Sequence, residues 1–203
     1  GGFSNSGILG VASGKASDFT FAPEEVDGFE LGLKGLFLNG SLSLEAEAFS
    51  YSFEGLQVDF FNAVVWSNVT YNAGTADTEG IEFSAVWNPE NIDGLTLSGS
   101  VLFLDSGYED FVAPCYAGQR PSNGCDIFIP GSVPQQQLGG EDMLLAPDFS
   151  GYFGINYERP IGQDLMLGST INLQFKGDHS FSEFGHPNAE QAGYELLDAG
   201  LRI

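Results

Sequence analysis

The stretch Leu165-Met-Leu-Gly-Ser-Thr-Ile-Asn-Leu-Gln-Phe-Lys176 alternates apolar and polar residues along almost its whole length. Such a period of two is typical of a β-strand with one apolar face and one polar face. The stretch is also about twice as long as an ordinary strand of about five or six residues. Its length is sufficient to cross a bilayer at a tilt, which takes about 9–11 residues. We therefore predict a long strand with a different environment on each side.

The same alternation recurs in further segments on both sides of this stretch, at residues 29–38, 41–58, 80–88, 95–105, 148–158 and 195–203. In segment 41–58 the parity changes near Ala48-Phe49, which we interpret as a β-bulge. Short turns near Asn39-Gly40, 88–94 and 159–163 alternate with long polar connections at 59–78, 106–146 and 177–193. Long structureless loops are uncommon in a compact soluble domain, whereas outer-membrane barrels have short turns at one end and long loops at the other. The sequence thus predicts an all-β, antiparallel transmembrane β-barrel, represented here by about seven strands.

The composition narrows the range of functions. Among 203 residues, 28 are acidic and six are basic, so the net charge is −22. Nucleic-acid binding requires clustered Lys and Arg, and the basic residues here are scattered. A hydrophobic content of 42% argues against disorder, and no apolar run reaches the length of a transmembrane helix. Aromatic residues near the strand ends predict interface girdles: Phe49, Tyr51, Phe53, Trp66, Trp87, Phe149, Tyr152 and Tyr157.

Two other architectures have to be weighed against the barrel. A passive porin-like channel would show the same strand pattern. A soluble secreted β-sandwich that binds carbohydrate would also have alternating strands, but its core would not tolerate charged side chains. A hydrated lumen tolerates them, and we predict that such charges face a lumen: Glu30, Lys34, Glu45, Glu47, Glu82, Glu158, Asp198 and Arg202.

Several segments resemble the TonB-dependent outer-membrane receptors. The run from Phe21-Ala-Pro-Glu-Glu to Glu30-Leu-Gly-Leu-Lys34 is similar to a strand of that family, and the Asn-Gly turn and the strand ending at Val58 follow as they do there. The stretch 72–82 and the Ala146-Pro147 entry into the next strand add to the resemblance, which extends from about residue 20 to the end.

The resemblance implies a barrel of about 22 strands with an N-terminal plug domain inside it. It further implies localisation in the outer membrane of a Gram-negative bacterium, contact with outer-membrane lipid and lipopolysaccharide, and energy from the TonB complex. A small-molecule cargo such as a ferric siderophore, haem, cobalamin or an oligosaccharide would be imported, without a cofactor. Residues 1–203 contain no plug, no TonB box and no terminal aromatic strand of the family, so we expect them to be a portion of the barrel.

Two cysteines lie in the longest predicted loop. Cys115 and Cys125 are separated by a Gly- and Pro-rich segment, which favours a disulfide that restrains the loop. Such a bond would contribute roughly 2–3 kcal/mol by the chain-entropy argument. A metal site with two thiolate ligands is the alternative, but it would need further ligands, and this loop contains no histidine.

The remaining candidate residues lie in the long loops. His179, Glu183 and His186 are weak candidates for a metal site, although solvated loop histidines are the simpler interpretation. Cargo contacts are predicted for loop aromatics, of which the candidates are Trp66, Tyr108, Tyr116 and Phe128, with Phe60, Phe61 and Phe111 as further ones. No catalytic triad, phosphate-binding glycine loop or deaminase motif is present, so we do not expect an enzyme.

Overall fold

One antiparallel sheet of seven strands dominates the computed structural model, which describes residues 2–3, 20–62, 67–72, 74–129, 133–182 and 184–203. The strands are β1 Glu25–Phe37, β2 Leu42–Glu54, β3 Thr75–Trp87, β4 Leu95–Asp110, β5 Phe149–Ile161, β6 Leu165–Lys176 and β7 Tyr194–Arg202. Each strand pairs with its neighbours in the chain, so the sheet is a meander from β1 to β7. This confirms the prediction of seven long antiparallel strands. Within the described residues the sheet is open, with β1 and β7 at its edges.

Short and long connections alternate as predicted. A 3-10 turn at Leu38–Gly40, residues 88–94 and residues 162–164 close one end of the sheet, which we call the short-turn end. Asn39 and Gly40 both have positive φ (58° and 91°), a conformation that Asn and Gly adopt at low cost and that suits a tight hairpin.

The opposite end of the sheet, the long-loop end, carries the other three connections, at residues 55–74, 111–148 and 177–193. Each contains a small antiparallel ladder of its own: Gln57–Asn62 with Ser67–Asn72, Val112–Pro114 with Gln135–Gln137, and His179–Ser180 with Glu190–Gln191. A further short pair joins Gly2–Phe3 to Thr20–Phe21, and a 3-10 turn spans Pro121–Asn123. In the described part of the chain, no helix has the length and apolar character required to cross a membrane.

The register gathers the apolar side chains on one face of the sheet. Leu33, Ala46, Phe83 and Val101 lie in one row across β1 to β4, and the rows on either side are equally apolar. Leu33 is 74% exposed, and Leu31 and Phe29 on the same face of β1 are similarly exposed. Since no second sheet covers this face among the described residues, the fold does not favour a β-sandwich.

The predicted bulge near Ala48-Phe49 is wrong. β2 pairs without a shift with both β1 and β3, and the irregularity lies instead between Thr75 and Ala76, where β3 meets β4. The hydrophobic pattern changes parity in the sequence because small residues, Ala46 and Ala48, occupy the apolar face here in place of large apolar ones.

The girdle prediction is partly wrong. Trp87, Phe149 and Tyr157 lie on the apolar face, and Trp66 lies outside the described residues. In contrast, Phe49, Tyr51, Phe53 and Tyr152 lie on the polar face.

Two of these rings cover glycines of neighbouring strands. A Cβ at Gly80 would lie 2.6 Å from Phe49 Cζ, and one at Gly28 would lie 2.3 Å from Tyr51 Cδ1. Because a glycine has no side chain, the adjacent ring can lie flat over the backbone. These aromatics therefore pack within the sheet and form no girdle.

Candidate functional site

The polar face of the sheet carries all eight charged residues that we named as lumen candidates. The register places them on this one face: Glu30, Lys34, Glu45, Glu47, Glu82, Glu158, Asp198 and Arg202. Lys34 Nζ lies 3.0 Å from Glu45 Oε2, and Arg202 pairs with Glu158. That this face lines a lumen stays a prediction.

Acidic side chains outnumber the basic ones on this face. Glu47 lies directly opposite Glu82 on the neighbouring strand, an arrangement of like charges that disfavours strand pairing unless water screens it. Tyr51 donates a hydrogen bond to the Glu30 carboxylate from the same surface. A dry core would not hold this set of charges, whereas a water-filled space would.

At the long-loop end, loop 111–148 folds back along β4. The Leu104 N–H donates to the Asp148 carbonyl (2.9 Å), the Met143 N–H to that of Ser106 (3.1 Å), and the Tyr108 N–H to that of Glu141 (3.0 Å). Segment 141–148 thus continues the pairing of β4 beyond the point at which β5 begins. We call the three long connections and the strand ends that they cover the rim.

A small apolar cluster anchors the rim to the sheet. Its buried members come from the ends of β3 and β4 and from the loop that follows: Ala76, Tyr108, Phe111, Ala113 and Leu138. Leu56 of the first long connection and Phe184 of the last one pack against it, so the cluster joins all three long connections.

The predicted disulfide is confirmed. The Cys115 and Cys125 sulfurs are 2.02 Å apart, so neither thiol is available to a metal and the two-thiolate interpretation is wrong. The bond closes a loop that contains the Pro121–Asn123 turn and the exposed Arg120.

Two glutamines that were not predicted as site residues connect this loop to its surroundings. The carboxamide of Gln136, a residue only 4% exposed, donates to the carbonyls of Phe184 (2.9 Å) and Pro114 (3.2 Å). It also accepts a bond from the Gln119 amide (2.6 Å), which in turn reaches the Asn123 carbonyl (2.9 Å). The run Gln135-Gln-Gln137 in a loop rich in Gly and Pro was the only available sign in the sequence.

The two histidines are engaged in local packing. His179 is buried, donates from Nδ1 to the Gly177 carbonyl (2.9 Å) and packs against the Phe181 ring. His186 contacts the Tyr116 ring at a centroid distance of 4.7 Å, and its Nδ1 accepts the Asn188 N–H. Glu183 lies outside the described residues, and within the described ranges no group of three potential ligands is placed to hold a metal. The metal site stays a prediction.

The candidate cargo contacts differ in accessibility. Phe128 is 63% exposed, and Tyr116 is half-buried against His186. Tyr108 and Phe111 are buried in the rim cluster, so cargo could reach them only after the rim rearranged. Trp66 lies outside the described residues, and the structure describes no side-chain environment for Phe60 and Phe61. Cargo contact by these residues stays a prediction.

Carboxylates concentrate at the rim. The pKa of Asp142 is raised above its ordinary value, first because its carboxylate loses hydration and then because other acids repel it, namely Asp148, Asp105, Asp178 and Glu190. In the long connections of the described chain, Arg120 is the sole Lys or Arg. The rim therefore presents a negative potential to any approaching molecule.

Comparison with known proteins identifies the family. A family model described as "TonB dependent receptor-like, beta-barrel" matches residues 2–203. Among curated proteins, none matches the chain in sequence.

Solved structures with the same fold include the siderophore receptor PiuA from Acinetobacter baumannii, which has a TM-score of 0.63 and 20% identity over 91% of this chain and 23% of that one. The ferric yersiniabactin uptake receptor FyuA from Yersinia pestis has a TM-score of 0.60 and 18% identity over 88% of this chain and 22% of that one. The ferric preacinetobactin receptor BauA, also from A. baumannii, has a TM-score of 0.56 and 19% identity over 89% of this chain and 23% of that one.

The chain spans less than a quarter of the length of each of these receptors. The family consists of outer-membrane receptors and transporters of Gram-negative bacteria, which are not enzymes. The family model matches nearly every residue, and the seven-stranded meander with alternating short turns and long loops agrees with it. The chain belongs to the TonB-dependent receptor family.

Proposed function

We propose that this chain is part of the barrel wall of an outer-membrane receptor that imports a ferric siderophore or a similar scarce nutrient. The TonB complex supplies the energy for this import. The observation that carries the proposal is the asymmetry of the sheet, with a bare apolar face, a charged face and three folded loops at one end. The apolar face suits lipid, the charged face suits a hydrated lumen, and the rim suits cargo capture.

The rim favours a receptor over a passive pore. Its loops are held by the Cys115–Cys125 bond, the Gln136 carboxamide and the apolar cluster, and such preorganisation lowers the entropy that is lost on binding. An open pore would not require a preorganised rim.

The charge of the rim constrains the cargo. A negative rim repels anionic chelates and favours cargo that is neutral or positively charged overall. We therefore expect a ferric hydroxamate-type complex of low charge to be taken up in preference to a highly anionic ferric tris-catecholate. In the proposed receptor, the plug domain blocks the lumen until the TonB complex acts on it.

Growth of a deletion strain under iron limitation tests this function. Iron should be supplied as a ferric trihydroxamate, a ferric tris-catecholate or a ferric salt, in strains with and without an intact TonB system. The proposal expects a growth defect on one chelate that the full-length receptor restores only when TonB is present.

Two results would contradict the proposed function. Complementation that does not depend on TonB would favour the passive porin-like channel. Recovery of the full-length protein from the soluble fraction without detergent would favour the secreted β-sandwich and exclude the receptor.

A further inference from the structure

The apolar face of the sheet contains a groove of about 900 Å³. Its lining combines small residues, among them Ala46, Ala85 and Gly99, with the rings of Phe83, Trp87 and Phe153. The register explains the depression, since Ala85 and Gly99 lie side by side in the row that continues to Phe153. Nearly all of the exposed surface in the groove is apolar, so the groove suits a hydrocarbon chain.

A single positive charge shares this face. Arg159 pairs with Leu167 across β5 and β6, which places it on the apolar side, and it is exposed. Lys34, Lys176 and Arg202 lie on the polar face. No ion pair involves Arg159 in the part of the chain that the structure describes.

The distance between groove and charge matches half of a bilayer. Arg159 follows Phe153 by six residues on β5, about 20 Å along the strand at about 3.4 Å per residue. A tilt of about 45° reduces this to about 14 Å along the membrane normal, close to half of a hydrocarbon core about 30 Å thick. Tyr157 lies between the two on the same face, at the depth where interfacial aromatics are enriched.

We infer that this face binds one phospholipid of the periplasm-facing leaflet, with its phosphate on Arg159 and an acyl chain in the groove. A guanidinium matches phosphate oxygens in charge and geometry. The opposite leaflet is the wrong source, because Arg159 lies towards the short-turn end and the long-loop end is acidic. The inference rests on the proposed function, since only a membrane-embedded barrel exposes this face to lipid.

Native mass spectrometry of the full-length receptor tests the inference, with phosphatidylglycerol and lipid A titrated separately into detergent-solubilised protein. Two variants remove the site: Arg159→Gln removes the charge and Ala85→Leu fills the groove. Lys176→Gln and Ala199→Leu are matched controls, because the first removes a cation from the polar face and the second adds the same bulk to the apolar face outside the groove. Heat-modifiable migration in gels verifies that each variant forms the barrel.

The wild type and both controls should retain one phosphatidylglycerol per receptor, and each site variant should bind it at least tenfold more weakly. Equal retention in all five proteins, or a preference for lipid A over phosphatidylglycerol, would overturn the inference while leaving the proposed function intact. Failure of the proposed function is a separate result, namely a receptor that is recovered without detergent.

Discussion

Gln136 lies in the middle of the rim with its carboxamide buried, and its bonds reach Pro114, Gln119 and Phe184. Replacement by Leu would keep a similar volume but leave these part-buried polar groups without this partner. An unsatisfied buried group costs about 1–3 kcal/mol. We therefore expect Gln136→Leu to lower the free energy of rim opening by about that amount, seen as faster hydrogen exchange of residues 133–138 and 184–188 in the full-length receptor.

Gln191→Leu is the matched control, because Gln191 is exposed and its side chain bonds only to the neighbouring Ala192 carbonyl among the described contacts. Its exchange should equal that of the wild type. If both variants exchange at the wild-type rate, the Gln136 carboxamide does not hold the loops together.

Asp142 makes the rim sensitive to pH. Its pKa in the folded protein is raised above 3.8 by lost hydration and by repulsion from Asp148, Asp105, Asp178 and Glu190. A carboxyl group with a raised pKa holds its proton more tightly in the folded state than in the unfolded state. Its contribution to stability is therefore complete at pH values below its ordinary pKa and is lost as the pH rises through the pKa of the folded state. Asp142→Asn should therefore slow the hydrogen exchange of segment 141–148 at neutral pH, after correction for intrinsic exchange rates. At acidic pH the exchange should be nearly unchanged. A variant that exchanges faster at neutral pH would contradict the assignment.

At the scale of the strand, ring-over-glycine packing explains why glycines are not interchangeable. A Cβ at Gly80 would lie 2.6 Å from Phe49 Cζ and 2.8 Å from the Phe103 carbonyl oxygen, whereas one at Gly32 would meet nothing closer than 3.9 Å. Gly80→Val should destabilise the barrel by about 1–3 kcal/mol through overpacking. Gly32→Val should be neutral or slightly stabilising, because valine suits a strand better than glycine. Unfolding midpoints from heat-modifiable gel migration compare the two, and equal midpoints would refute the packing argument.

The same scale shows what the sequence could predict. The bounds of β6 are those that the alternation predicted, because one face is apolar and the other polar along its whole length. The ends of β3 and β4 extend further towards the rim than predicted, to Thr75 and Asp110. Beyond the apolar band both faces are polar, so the alternation disappears although the backbone ladder continues.

For the rim, the sequence could predict the disulfide but not the other contacts. Two cysteines in one loop have only one intramolecular partner each. The bonds of Gln136 join segments up to 48 residues apart, and no local pattern specifies such a pair. Tyr108 was predicted to contact cargo because it is an aromatic in a loop, yet the extension of β4 buries it.

For the whole molecule, the decisive question is whether the apolar face meets lipid. Leu33 is 74% exposed and lies in the same row across the sheet as Val101. Ser100 precedes Val101 in β4, so its side chain lies on the opposite, polar face. If the apolar face lies in a bilayer, Leu33→Arg should destabilise the full-length receptor by about 2–4 kcal/mol near the midplane.

Ser100→Arg is the matched control for this substitution, since it adds the same charge at the same depth on the polar face. It should change the stability little, because a hydrated face accommodates a guanidinium. Denaturant titrations of the receptor folded into phosphatidylcholine vesicles measure both free energies of unfolding. On a surface exposed to water, a Leu→Arg substitution changes the free energy of unfolding by no more than about 0.5 kcal/mol in either direction. Small and equal effects of the two variants would therefore show that this face is solvated and that the barrel does not span the membrane here.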